Sequence, residues 1–144
     1  MRSLPIRDYM SSRVDIVPEN MPLSQIIETF HAQNASYLHV INDKNIPTGI
    51  ISFRDIRPYM GQNAQTSVLT AKDVATARLS ILNPDDSVFT AMQIMSDGQY
   101  SQLPVLDPDT GKLIGTLRQK DVLAAYDKEV FHHGGQQSTK SIPN

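Results

Sequence analysis

Two stretches of the chain space their apolar residues as one face of a helix. Leu23, Ile26, Ile27 and Phe30 fall at i, i+3, i+4 and i+7, and Val88, Ala91, Met92 and Met95 do the same. That spacing predicts two amphipathic helices with those residues as core stripes. Pro22 suits the first helical position, Asp86 or Ser87 an N-cap, and Gly98 the end of the second helix. Short apolar or alternating runs flank them. Val14 to Val17 ends at Pro18, and Leu79 to Leu82 runs up to Pro84, as strands closed by turns do. Further strands are expected over 37–41, 48–52, 102–106 and 112–117. Their connections, Asn42-Asp43-Lys44-Asn45 and Asp107-Pro108-Asp109-Thr110-Gly111, have hairpin chemistry. A closing helix opens at Phe53 or Gln119 and ends near Tyr59 or Tyr126.

The two series are one unit written twice. Gly49-Ile50-Ile51-Ser52-Phe53-Arg54-Asp55-Ile56 is answered by Gly115-Thr116-Leu117-Arg118-Gln119-Lys120-Asp121-Val122, 66 positions on. Ser36-Tyr37-Leu38-His39-Val40-Ile41 is answered by Ser101-Gln102-Leu103-Pro104-Val105-Leu106 at a spacing of 65, the slip falling in a loop. Such self-similarity decides the architecture before any single motif does. The expectation is an α+β chain of two β-α-β-β-α repeats, 6–60 and 71–127. A polar linker, 61–70, joins them, and a disordered tail, 128–144, follows.

Composition narrows the function. Among 144 residues there is no Cys, which excludes thiolate metal sites, disulfides and Cys nucleophiles. A formal net charge of −2 argues against a general nucleic-acid binder, which carries a basic excess. The apolar stretches are far shorter than the roughly 20 residues of a spanning helix, and the N-terminus has no apolar signal region. The chain reads as cytoplasmic. His31, His132 and His133 have no ligand-spaced partners, so no metal site is expected. No nucleophile elbow, P-loop or dinucleotide fingerprint occurs, and Asp85-Asp86 after Pro84 reads as capping. No enzyme is expected.

The doubled order of strand-Pro, helix, Leu-Pro-Val strand, Gly-hydrophobic-hydrophobic strand and x-x-Asp helix resembles a tandem pair of CBS domains, a Bateman module. The resemblance spans roughly residues 6 to 127. It implies two repeats packed about a pseudo-twofold axis, two clefts able to bind adenine nucleotides, and assembly of two pairs into a homodimer. The texture of Ser36 to Val40, Gly49 to Arg57 and Asp121 to Tyr126 is most similar to the cytosolic CBS pair of chloride channels and transporters. That likeness implies a membrane chloride-transport domain as the partner under control.

Ser52-Phe53-Arg54-Asp55 has two readings. As structure it is a capping box, with Ser52 as N-cap and Asp55 at the third helical position. As a site, the helix start offers free N–H groups and partial positive charge, Ser52 and Arg54 can hold phosphate, and Asp55 can accept from ribose. In CBS domains Ser/Thr-x-x-Asp has these phosphate and ribose roles. The second repeat departs from it. Arg118 replaces Ser or Thr, while Lys120 and Asp121 keep a phosphate-and-ribose pattern like that of the chloride-channel branch. Arg118 either binds phosphate by charge or fills the nucleotide's space.

His39, where the second repeat has Pro104, stacks on adenine or senses pH near neutrality, or else it is a strand residue partly packed at a cleft edge. Tyr37 and Tyr100 flank an adenine or pack as sheet-edge aromatics. Ser36 and Ser101 stand beside them, and the backbone of Val14, Ile16 and Val17, like that of Leu79 to Leu82, offers polar groups to a base edge. The expected ligand is ATP, ADP, AMP or S-adenosylmethionine, with no cofactor required. The expected function is a regulatory sensor acting by population shift. The alternative is a structural dimerisation module with vestigial clefts.

Overall fold

The computed structural model describes residues 4–61, 68–77 and 80–128. Most of the expected linker (62–67), Leu79 and nearly all of the expected tail (129–144) lie outside the described residues. The first repeat contains β1 (Ile16–Pro18), α1 (Leu23–Gln33), β2 (Tyr37–Ile41), β3 (Pro47–Ser52) and α2 (Phe53–Ile56). The second repeat opens with a short helix α3 (Ala71–Val74) and contains α4 (Val88–Gly98), β4 (Gln102–Leu106), β5 (Leu113–Arg118) and α5 over 119–128. The architecture is α+β, built from two repeats of one unit.

In the first sheet β1 runs parallel to β2, and β2 antiparallel to β3. In the second, β4 and β5 pair antiparallel, and among the described residues Leu82 alone stands where a third strand would run. It bonds to the backbone of Pro104 and Leu106. The first strand of each repeat is thus shorter, over the described residues, than the apolar runs suggest. Val14 lies outside β1, and strand pairing near Pro84 contracts to one bridge.

Helix boundaries differ from expectation for local reasons. Pro22 is the N-cap of α1, in extended conformation, rather than its first residue. Ser87 caps α4, its Oγ accepting from Phe89 N–H at 3.1 Å, while the Asp86 carboxylate takes Asn83 N–H. Gly98 is the last helical residue, and Gln99 adopts the left-handed cap (φ 57°). The first repeat's closing helix shortens to α2 and a 3-10 turn over Arg57–Tyr59, since Pro58 supplies no N–H. Met92 is 41% exposed, so Val88, Ala91 and Met95 carry the core stripe of α4 and Met92 does not.

Each repeat is completed by the segment that leads into the other. Leu4 and Ile6 are buried in the core of the second repeat with Leu82, Val88, Leu103 and Leu117. Ala71 is buried in the core of the first with Val17, Leu23, Ile26 and Leu38, and Leu69 packs against it. The backbone repeats this exchange about an approximate twofold. Ser11 and Thr116 exchange both backbone hydrogen bonds, as do Thr76 and Ile50; Leu4 C=O accepts from Val88 N–H, as Leu69 C=O does from Leu23 N–H. The repeated glycines lie at the crossings. A Cβ on Gly115 would meet Ser11 O at 2.6 Å, and one on Gly49 would meet Ala75 Cβ at 3.0 Å.

Candidate functional site

A cavity of about 450 Å³ opens at the seam between repeats. The first repeat and its lead-in supply Ser11, Arg13, Asp15, Asn34, Ala35, Ser36 and Tyr37. The second supplies Ser101, Gln102, Thr116, Arg118, Gln119 and Lys120. The site forms because α1 ends in a left-handed cap at Asn34 (φ 50°), turning the chain into β2. Opposite it, β5 runs directly into α5, so the cations at 118 and 120 sit at a helix start, where N–H groups and dipole favour an anion.

Polar contacts stitch the walls together. Tyr37 Oη and Ser101 Oγ share a hydrogen bond at 2.6 Å across the seam. Thr116 Oγ1 donates to Arg13 C=O at 3.3 Å. The Arg13 guanidinium donates to Gln33 C=O and pairs with Asp15 at 3.4 Å. Asp121 accepts three times from one residue: from Arg118 N–H, Nε and Nη2, each at 2.8 Å. This fork pushes the Arg118 guanidinium above its ordinary pKa, chiefly through the hydrogen bonds it donates to Asp121. Lys120 makes no ion pair among the described residues.

Of the residues singled out in the sequence, this cavity brings together Ser36, Tyr37, Ser101, Arg118 and Lys120, with Asp121 held behind Arg118. It does not include Val14, Ile16, Val17, His39, Ser52, Arg54, Asp55, Tyr100 or Pro104. Ser52 N–H donates to the Asp55 carboxylate at 2.8 Å, half of the capping box, and Arg54 is exposed on the first turn of α2. By the repeat, their cleft would draw on 78 and 79, which lie outside the described residues. Tyr100 packs against the second core. Pro104 is buried, its carbonyl taken by Leu82 N–H. Val17 is buried, Val14 is half-buried and Ile16 is 42% exposed.

His39 corrects the sequence reading. It is fully buried and offers no face for stacking. Its Nε2 lies 3.3 Å from Gln102 Nε2, and its Nδ1 has no partner among the described residues. Burial lowers its pKa to about 4, against a weaker upward pull from Asp15, so it does not titrate near neutrality.

Sequence reasoning missed Ser11, Arg13, Asp15, Asn34, Gln102, Thr116 and Gln119. One signal was available: Arg13 and Arg78 stand at the same spacing, 65, as Ser36 and Ser101.

Among the described residues no group of three or more His, Asp or Glu is placed to hold a metal ion. No helix there is long and apolar enough to cross a membrane.

The CBS domain family model matches residues 6–61 and 71–128. A relative from Methanocaldococcus jannaschii, the uncharacterized protein MJ1225, is 25% identical over 142 residues, covering 97% of this chain and 49% of its own. The chain spans a quarter to about half of the length of three curated relatives it matches. Among solved structures, the CBS domain pair of protein MJ0100 in complex with 5′-methylthioadenosine and S-adenosyl-L-methionine superposes with a TM-score of 0.75. It is 20% identical and covers 89% of this chain and 99% of its own. CBSX2 in complex with AMP also gives 0.75, at 22% identity, covering 86% and 96%. At such identities the likeness shows the fold.

Proposed function

The chain belongs to the CBS domain family as a tandem pair, and on that premise we propose that it is a regulatory module binding an adenosine-containing ligand at the seam between its repeats. The observation that carries this reading is the seam cavity, walled by both repeats and bearing Lys120 at a helix start. A ligand touching both walls binds the closed arrangement better than a loosened one, and so shifts their equilibrium without chemistry. Tyr37 offers a ring face for the base, and Lys120 with the α5 N–H groups would hold phosphate. AMP is the first candidate, with ATP, ADP and S-adenosylmethionine as its competitors; the complexes of CBSX2 and of the MJ0100 pair support this class of ligand.

The signal would pass through a homodimer to an attached or partner domain. Leu123 and Tyr126 on α5 are 59% and 51% exposed, and Phe53 on α2 is 44% exposed, which supports a further apolar contact on these helices. A chloride-transport domain as the partner rests on the sequence texture alone.

Titration calorimetry with AMP, ATP and S-adenosylmethionine tests the reading, with Lys120→Ala as the control. Micromolar to millimolar binding of at least one ligand, weakened severalfold for phosphate-bearing ligands in Lys120→Ala, is the expected result. No heat and no thermal shift at millimolar ligand would overturn it. A dimer persisting in light scattering would then favour the second reading, a structural module with vestigial clefts, to which the Arg118–Asp121 fork already lends weight.

A further inference from the structure

The acceptor that could take a sugar hydroxyl in the seam cavity is already occupied. Asp121 Oδ2 accepts from Arg118 N–H and Nε, and Oδ1 from Arg118 Nη2, all at 2.8 Å. The Asp121 side chain is only 11% exposed and that of Arg118 34%. Arg118 lines the cavity, as does Lys120; Asp121 does not. The guanidinium therefore stands between the carboxylate and the space a ligand would fill. A two-pronged arginine–carboxylate pair is among the stronger polar contacts, and a sugar hydroxyl would have to displace it to reach Oδ2. Meanwhile Arg118 Nη1 has no partner among the described residues, so its N–H groups and those of Lys120 remain to meet an anion. The other cation of the cavity, Arg13, is satisfied by Asp15 and Gln33 C=O.

We propose that Arg118 shields Asp121, so that the seam cavity holds a nucleotide by its phosphate and base and does not read the sugar hydroxyls. The inference rests on the binding role assigned above and sharpens it. The specificity-determining residue is Arg118, and the ligand class is a 5′-phosphorylated nucleoside with either a ribose or a deoxy sugar. The first repeat carries Ser52 at the matching position, where Asp55 is capped by Ser52 N–H and faces no guanidinium from its own position 52.

The test compares AMP with 2′,3′-dideoxyadenosine 5′-monophosphate, which keeps the base and phosphate and lacks both hydroxyls. Backbone amide spectra are followed at Gln119 and Lys120, which line this cavity, so that occupancy of any other cleft does not enter the fit. In the unmodified protein the two dissociation constants should agree within about twofold. In Arg118→Ser the Asp121 carboxylate is freed while residue 118 keeps its capping N–H. AMP should then bind roughly tenfold or more tightly than the dideoxy ligand, as a hydrogen bond to a charged acceptor gives. An unmodified protein that already prefers AMP tenfold would overturn the inference, as would a folded Arg118→Ser that still fails to discriminate. Arg118→Lys, which keeps the charge but not the fork, should fall between the two. If neither nucleotide moves those amides in any of the three proteins, the binding role itself fails and takes the inference with it.

Discussion

Tyr37 and Ser101, 64 residues apart in the chain, join their hydroxyl groups at 2.6 Å across the seam between repeats. They stand one position apart in the repeat: Tyr37 opens β2, and Ser101, which answers Ser36, immediately precedes β4. The bond ties the two strand starts together where both line the cavity.

Tyr37→Phe removes the bond and keeps the ring. The pair is exposed, so the expected loss is below about 1 kcal/mol. Ser101→Ala should cost the same, and the double variant no more than either single one, a coupling that a double-mutant cycle in urea would measure. Additive losses would show that the bond contributes nothing. For ligand binding the ring matters more than the hydroxyl. Tyr37→Phe should leave AMP affinity within about twofold, and Tyr37→Ala should weaken it roughly tenfold, the scale of base–aromatic stacking.

The glycines at the crossings are not equivalent. A Cβ on Gly115 meets a backbone oxygen, Ser11 O, at 2.6 Å, whereas on Gly49 its nearest neighbours lie at 3.0 and 3.1 Å. Gly115→Ala should therefore cost more than Gly49→Ala, about 1–3 kcal/mol as overpacking does. It should also displace the 11–13 segment, which walls the cavity, and so weaken AMP binding. Thermal unfolding of the two variants side by side checks the order; a Gly49→Ala protein less stable than Gly115→Ala contradicts it.

The sequence revealed the periodic and punctuated parts of the fold. The α1 stripe, the α4 stripe apart from Met92, the β2 and β4 bounds, and the hairpin at Asn42, whose Oδ1 accepts from Lys44 and Ile46 N–H, all follow from local chemistry. What stayed hidden is what depends on the other repeat. Leu4 and Ile6 carry no mark that they are buried beside Val88 rather than beside Leu23. Arg118 looked like a free cation because its pairing with Asp121 requires a particular side-chain path, not a spacing. His39 looked like a rim residue because a strand pattern does not reveal that both faces of β2 are covered, and Leu38, His39 and Val40 are all buried. Half of the cavity wall escaped notice for the same reason: the lead-in segment that supplies Ser11 and Arg13 is held there by pairing with Thr116.

Ile6 provides a direct test of that exchange. It stands at the very start of the first repeat in sequence and is fully buried in the core of the second. Ile6→Ala should destabilise the protein by about 2–4 kcal/mol. Amide hydrogen exchange locates the damage. Protection should fall first at β4 and β5, leaving β2 and β3 less affected, although the substitution lies ten residues before β1. Early loss in β2 and β3 instead would mean that the exchanged segments do not hold the repeats as described.

His39 contributes to the response to acid. Its pKa is about 4 when folded, against an ordinary value of 6.5, because burial disfavours the imidazolium more than Asp15 favours it. The group packed beside it from the second repeat is the Gln102 amide. Between these two pH values the unfolded chain binds a proton that the folded chain does not. The stabilisation linked to His39 is therefore complete above about pH 6.5, falls as the pH drops toward 4, and declines no further below that. Across this window it amounts to about 3 kcal/mol. Urea midpoints measured from pH 7 to pH 4 should fall more steeply for the unmodified protein than for His39→Leu, whose remaining slope reports the carboxylates alone. Parallel slopes would show that the buried imidazole does not govern the acid response. A slope steepening only above pH 6.5 would give it the wrong sign.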